Sequence, residues 1–188
     1  TTDDWGVGQV SALGAFAELA LLAGSRLVQI LPPYELAAGE SSPYGARTAF
    51  GLDPIYLTIR EIPELAGEAL SGFRTAEVDA EIARLRAAPR VDFTAARALK
   101  ERALRHAFER YLANDHGRGT PREAELRAFA DRSPWARDLA LYVALRDSHG
   151  GYGWSTWPEH ERERAPEVVR HGDSPDPAHP LGRAVLEH

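Results

Sequence analysis

The spacing of apolar residues changes character along the chain. From Val10 to Ala23, the residues Val10, Leu13, Phe16, Ala17, Ala20 and Leu21 recur at intervals of three and four. That is the period of one helix face, and Gly24 is placed to stop the helix. Leu27-Val28-Gln29-Ile30-Leu31 follows at once, bounded by Gly24 and by Pro32-Pro33. A short apolar run between breakers predicts a buried strand. Helix, tight turn and buried strand in that order predict an α/β unit. Ile55 to Ile59 alternates with Tyr56 and Thr58 and predicts a second strand. Between the two runs lies Glu35 to Asp53, rich in Gly, Ser, Pro and Tyr. Connections of more than about 12–15 residues inside a compact domain are uncommon, and those that occur often carry function.

The pattern changes near residue 72 and reads as helix to about residue 148. Thr75 can cap a helix containing Val78, Ile82 and Leu85, which Pro89 ends. Asp92 or Thr94 can cap the next, with Leu99, Ala103, Ala107, Phe108 and Tyr111 along one stripe. Thr120-Pro121-Arg122-Glu123 combines a Thr cap, Pro in the first turn and Glu three residues after the cap. Ser133-Pro134 repeats the cap-and-proline signal before Leu139, Tyr142, Val143 and Leu145, and Gly150-Gly151 closes that helix. The remainder is polar and broken by prolines. No repeat of fixed period and no low-complexity tract is present.

Composition narrows the function. The chain has 188 residues, 44% of them hydrophobic and 27% charged, which suits a folded globular protein rather than a disordered one. Its formal net charge is −6, whereas a nucleic-acid binder needs a basic footprint, so none is expected. There is no Cys, so disulfides and thiolate metal sites are excluded. The cytoplasm is the natural compartment for such a chain. No uninterrupted apolar stretch is long enough to cross a membrane as a helix, and none has the basic lead-in of a signal peptide. The sequence has no Met, which suggests a processed or truncated chain. Its basic residues are almost all Arg, with Lys100 the only Lys, as expected of a GC-rich genome.

The most informative stretch is Ser41-Ser42-Pro43-Tyr44-Gly45-Ala46-Arg47-Thr48-Ala49-Phe50-Gly51-Leu52-Asp53-Pro54, after the predicted buried strand. In parallel α/β architectures, loops at the C-terminal ends of strands build active sites. Tyr can pack on the apolar face of a sugar ring, and hydroxyls can bond sugar hydroxyls. The plainer alternative is a surface turn with Tyr44 as a packing anchor.

A family resemblance favours the sugar-binding reading. Asp4-Trp5-Gly6-Val7-Gly8, Leu27-Val28-Gln29-Ile30-Leu31-Pro32, Ser42-Pro43-Tyr44 and Ala49-Phe50-Gly51-Leu52-Asp53-Pro54-Ile55-Tyr56 occur in order. Val91-Asp92-Phe93, the helix around Lys100, Trp135 to Tyr142, and Gly150-Gly151 followed by Trp154 and Trp157-Pro158 agree with them. Together they resemble the N-terminal part of 4-α-glucanotransferases of the amylomaltase type, glycoside hydrolase family 77. The resemblance implies an α/β fold, the incomplete N-terminal portion of a (β/α)8 TIM barrel carrying a mostly helical insertion. Residues 1–72 would supply the first barrel elements, 73–158 the helical insertion, and 159–188 a polar connection leading back toward the barrel. It also implies transfer of α-1,4-glucan segments between malto-oligosaccharides, with no cofactor. By position, Ser42 and Tyr44 would contact the donor glucan, with Pro43 fixing the turn between them.

Some of the family's features have no counterpart. The family's nucleophilic Asp, acid/base Glu and stabilising Asp lie on later barrel strands, and none of their motifs occurs in this sequence, so no catalytic residue is expected within it. The family's first barrel strand should precede Trp5, where only four residues stand. Ala37-Ala38-Gly39-Glu40 lacks the aromatic that some members use at a secondary glucan site, so no such site is expected. A (β/α)8 barrel needs at least about 200 residues, so these residues cannot close one. The acids, such as Glu77, Asp79 and Glu81 or Glu123 and Glu125, read as solvated helix faces. Tyr152, Trp154 and Trp157 could form a sugar platform, but pinning the end of the helical insertion to the barrel is the expected role. His149 near a helix end fits the helix dipole. His160, His171 and His179 lack ligand spacing, so no metal is expected. Gly6 and Gly8 read as a turn rather than a nucleotide fingerprint. Two other readings stand beside the transferase. One is a stand-alone, non-catalytic glucan-binding or interaction module. The other is a helical partner-binding domain built on residues 75–148.

Overall fold

The computed structural model describes residues 4–36, 40 and 42–188. They fall into two compact units, Thr1–Glu109 and Arg110–His188. Among the described residues the fold is helical, and the only β pairing is two isolated antiparallel bridges, Tyr34 with Leu52 and Leu36 with Ala46.

In the first unit, α1 spans Ala12–Leu22 and closes as predicted at Gly24, whose φ is +85°. The Gly24 N–H donates to the Leu21 carbonyl and the Ser25 N–H to the Ala20 carbonyl, which satisfies two of the last carbonyls of the helix. The apolar stripe of α1, however, holds no buried residue: Phe16 is 53% exposed and Leu21 68%.

Neither predicted strand forms. Residues 27–31 carry no ladder, because a buried parallel strand needs a neighbour on each side and cover on both faces. Residues 55–59 instead form tight 3₁₀ turns at Pro54–Tyr56 and Ile59–Glu61, followed by another at Pro63–Leu65. Asp53 accepts the Ile55 N–H at 3.0 Å and Pro54 occupies the first turn position, so the chain starts a helical turn there. Ile55 and Ile59 are both buried.

α2 (Glu68–Phe73) precedes α3 (Ala76–Ala87), which buries Val78, Ile82 and Leu85. Thr75 Oγ1 accepts the Val78 N–H at 3.4 Å, as its N-cap position predicts. α4 runs from Phe93 to Asn114, with the unit boundary inside it. Of its two candidate caps, Asp92 bonds, accepting from the Ala95 N–H at 3.0 Å. The first unit's core joins Trp5, Ile55, Ile59 and Leu65 to the buried faces of α3 and α4, including Leu99 and Ala103. Gly6 lies against this core with φ +82°, and a Cβ there would stand 2.6 Å from Leu85 Cβ. The Gly6 turn is therefore a packing necessity.

In the second unit, α5 (Pro121–Arg132) is capped by Thr120, whose Oγ1 accepts from the Glu123 N–H at 3.2 Å. The Glu123 carboxylate accepts the N–H groups of Gly117 at 2.9 Å and Gly119 at 2.7 Å, and pairs with Arg127. Those backbone bonds, ahead of the Arg127 charge, hold its pKa below the ordinary carboxylate value. Glu123 is thus a buried structural acid, unlike the solvated face expected of it. α6 (Pro134–Ser148) begins as predicted, although Ser133 makes no side-chain cap bond. Gly150 and Gly151, both at positive φ, end it. The proline-rich tail folds into α7 (Glu159–Arg162), α8 (Pro166–Gly172) and α9 (Pro180–Glu187). Its prolines at helix starts act as initiators rather than breakers. Leu141, Leu145, Trp157 and Val168 form this unit's core.

Candidate functional site

The segment between Tyr34 and Asp53 folds back on itself. Its ends are joined by the Glu35 N–H to Gly51 carbonyl bond at 3.2 Å and the Asp53 N–H to Pro33 carbonyl bond at 2.9 Å. Further out, the Arg47 N–H donates to the Glu35 carbonyl at 2.9 Å, and the two side chains form an ion pair. Near the tip, Ser42 to Gly45 make a four-residue turn closed by the Gly45 N–H to Ser42 carbonyl bond at 2.9 Å. Pro43 occupies the second turn position, where its fixed φ favours this geometry. The Ser42 N–H also donates to Glu40 Oε1 at 2.8 Å. A Cβ on residue 45 would lie 2.8 Å from Glu40 Cγ, so Gly45 lets the acid fold over the turn. Ser42 and Tyr44 are therefore on one turn, both exposed, Tyr44 by 78%. The turn leaves the Ser42 side chain and the Tyr44 ring open to solvent. Ala37, Ala38, Gly39 and Ser41, and with them the expectation of no secondary glucan site, lie outside the described residues.

The base of the loop is anchored by charge. Asp53 is 1% exposed, and its carboxylate accepts four hydrogen bonds. Oδ1 takes the Ile55 N–H at 3.0 Å and Arg97 Nη1 at 2.9 Å. Oδ2 takes the Leu36 N–H at 3.2 Å and Arg97 Nη2 at 2.6 Å. Arg97 stands one turn before Lys100 on α4, so the two cations share a face. Lys100 is also 1% exposed, and its Nζ donates to the carbonyls of Ile55 at 2.5 Å and Leu57 at 2.7 Å. Burial works against the Arg97 charge, but the Asp53 hydrogen bond and charge, with Glu101 and Glu35 beyond, raise its pKa overall. Burial lowers the Lys100 pKa to about 8, with Asp4 and Asp53 opposing the shift. Tyr56 is pushed up, first by burial and then by the nearby Asp53 charge.

A cavity of about 450 Å³ opens beside the loop, lined mainly by apolar groups with Gln9, Tyr34 and Tyr56 among them. Pro43 of the turn lines it, while Ser42 and Tyr44 do not. In the second unit, Trp157 is buried, its Nε1–H donates to the Tyr152 carbonyl at 3.0 Å, and its ring contacts those of His149 and Tyr142. Tyr152 and Trp154 stay exposed. His149 ends α6 and contacts Glu161 at 2.5 Å. Among the described residues, no cluster of three or more His, Cys, Asp or Glu is arranged to hold a metal ion, and no helix is long and apolar enough to cross a membrane.

The sequence pointed to the Ser42–Tyr44 turn but not to the groups that hold its base. The usable signal was a lone lysine on the apolar stripe of α4, flanked by Leu99 and Ala103. A buried cation must have partners.

The family model for 4-alpha-glucanotransferases matches residues 1–178, and the chain belongs to that family. Among individual proteins, it is 31% identical over 156 residues to the 4-alpha-glucanotransferase of Thermus thermophilus, covering 81% of this chain and 28% of that protein. It is 29% identical over 169 residues to the 4-alpha-glucanotransferase of a Synechocystis strain, covering 88% of this chain and 31% of that one. A third relative, the 4-alpha-glucanotransferase of Haemophilus influenzae, is 31% identical over 111 residues, which make up 56% of this chain and 16% of the relative. The chain thus spans less than a third of the curated relatives it matches. The family implies a TIM barrel, while the described residues themselves show none.

Proposed function

We propose that these residues are part of a cytoplasmic 4-α-glucanotransferase that moves α-1,4-glucan segments between malto-oligosaccharides. The observation that carries this reading is the family match over residues 1–178. In the complete protein, a carboxylate attacks the anomeric carbon of the donor and breaks the α-1,4 bond, and an acid protonates the departing 4-oxygen. The 4-hydroxyl of an acceptor sugar then attacks the anomeric carbon of the glycosyl-enzyme, its proton passes to the acid/base group, and the nucleophilic carboxylate leaves, restoring the original anomeric configuration. Both carboxylates come from chain other than these residues. No cofactor takes part, and neither nucleic acid nor membrane is a partner.

The contribution of this stretch is donor binding and scaffold. Ser42 and Tyr44, on either side of Pro43 in an exposed turn, supply a hydroxyl and a stacking face to the glucan. The exposed apolar surface of α1 and residues 27–31 supports the scaffold role. In the complete barrel, residues 27–31 become a strand once neighbouring strands supply the ladder and cover that they lack here.

Incubating the complete polypeptide that carries these residues with maltotriose tests the reading. Glucose and oligosaccharides longer than maltotriose are the expected products, and their absence sinks it. Ser42→Ala and Tyr44→Ala should each raise the donor KM about fivefold, the equivalent of about 1 kcal/mol of lost contact. Because both side chains are exposed, neither change should alter the thermal midpoint. Unchanged KM in both variants would remove these two residues from the site.

A further inference from the structure

We propose that Asp53, clamped by Arg97, is the positioning residue that sets the Ser42–Tyr44 turn against its glucan. This inference rests on the donor-binding role given above to that turn. Three observations carry it. The Asp53 carboxylate is the only described group that bonds at once to the outgoing limb of the loop at Leu36, to the end of the loop at Ile55, and to α4 through Arg97. Both carboxylate oxygens are engaged by the guanidinium fork, an arrangement that fixes orientation as well as distance. Among the described residues, the loop is otherwise held by the two isolated bridges, backbone bonds, the Ser42 N–H to Glu40 and Phe50 N–H to Thr48 bonds, and the Glu35–Arg47 pair, none of which reaches α4.

The chemistry of the clamp makes it sensitive to a change of one atom. An Asn at position 53 keeps one acceptor oxygen and replaces the other with an NH₂ donor. All four partners of Asp53 are themselves donors, so that NH₂ must face either Arg97 together with Ile55 or Arg97 together with Leu36. One limb of the clamp opens whichever way the amide turns. Lys100 continues to hold the carbonyls of Ile55 and Leu57, so the turns beyond the loop keep their place. Either way one prong of the Arg97 fork is lost, together with the Ile55 cap or the Leu36 limb, and the loop is released at one of its two ends. Asp53 touches no substrate in this scheme; it acts through the turn.

Two readouts separate positioning from plain stability. In Asp53→Asn, amide hydrogen exchange at Leu36 or Ile55, whichever faces the NH₂, and at Gly45 and Arg47 should accelerate about tenfold or more, while the α3 amides of Ile82 and Leu85 stay as they were. In the complete enzyme, the same change should raise the donor KM about tenfold and leave kcat within about twofold, because misplacement weakens the contact and leaves the carboxylates untouched. Arg97→Lys keeps the charge but loses the fork, and should give a smaller KM rise than Arg97→Gln. It also serves as the second route if Asp53→Asn fails to fold. Unchanged exchange in the loop overturns the inference. So does a fall in Vmax at constant KM, the signature of a smaller folded fraction. If Tyr44→Ala raises KM and Asp53→Asn does not, positioning fails while the donor-binding reading stands. If neither moves KM, the donor-binding reading has failed and the inference goes with it.

Discussion

Replacing Lys100 with Met should remove a pH dependence that this one side chain builds into the fold. Its ammonium is buried and donates to the carbonyls of Ile55 and Leu57. Its pKa falls from 10.5 to about 8, chiefly through burial. Between those two values, the unfolded chain holds the proton more tightly than the folded one. Unfolding free energy therefore rises with pH in that window, by up to about 1.4 kcal/mol per pH unit. Below pH 8 both states are protonated, and the shift of 10.5 − 8 = 2.5 units costs the fold about 3 kcal/mol at most. Met removes this cost but strands two carbonyls, at about 1–3 kcal/mol each. The two effects nearly offset at pH 7, where the variant should lose only about 1–2 kcal/mol. At pH 10 the neutral amine still donates to both carbonyls without the charge penalty, so the gap between wild type and variant should widen by about 2 kcal/mol. Tyr56, whose pKa is raised, pulls the other way above pH 10 in both proteins, so the comparison stops there. Urea unfolding followed by far-UV circular dichroism at pH 7, 8, 9 and 10 measures the gap. A gap that stays constant, or narrows, as the pH rises would refute the account of Lys100.

Two further predictions concern packing. Trp157→Ala should cost about 3–5 kcal/mol, because it empties the core of the second unit and frees the Tyr152 carbonyl, whereas Trp154→Ala, at a residue 56% exposed, should cost under about 0.5 kcal/mol. Chemical denaturation of both variants checks this, and equal losses would contradict the division of labour between the two rings. Gly6→Ala should destabilise by about 1–3 kcal/mol, since it combines a φ of +82° with a Cβ 2.6 Å from Leu85 Cβ. A thermal midpoint at or above that of the parent would show that the turn can relax.

Local chemistry explains which parts of the fold could be read in advance. Thr75, Asp92 and Thr120 each bond an N–H three residues on, so the signal and the bond lie within one turn of chain. The start of α6 at Pro134, and its end at Gly150 and Gly151, were equally local. The Ser42–Gly45 turn was legible for the same reason: proline and glycine set its geometry within four residues. The anchoring of the loop was not legible. Arg97 and Asp53 are 44 residues apart, and Lys100 and Ile55 are 45 apart. Nothing in the spacing of charges along the chain marks such a pairing. Only the lone lysine among apolar neighbours hinted that something must meet it.

The two missing strands failed for different reasons. Ile55 to Ile59 was read as alternation, but two apolar residues four apart also fit one turn of helix, and the five-residue window cannot separate the periods. Asp53-Pro54 decided the matter by capping and starting a 3₁₀ turn. Lys100 then took the Ile55 and Leu57 carbonyls that a ladder would have used. Residues 27–31 face no such competitor. Their apolar side chains remain exposed, and no described segment forms a ladder with them. A parallel strand is the least local of secondary structures, since its ladder depends on crossover connections of a dozen or more residues. The same run can therefore be correctly patterned for a barrel and still form no strand where its neighbours are missing. That contrast leads to a physical distinction between the segments: adding the rest of the barrel should order residues 27–31 into a strand, while residues 55–59, already satisfied by Asp53 and Lys100, should keep their turns.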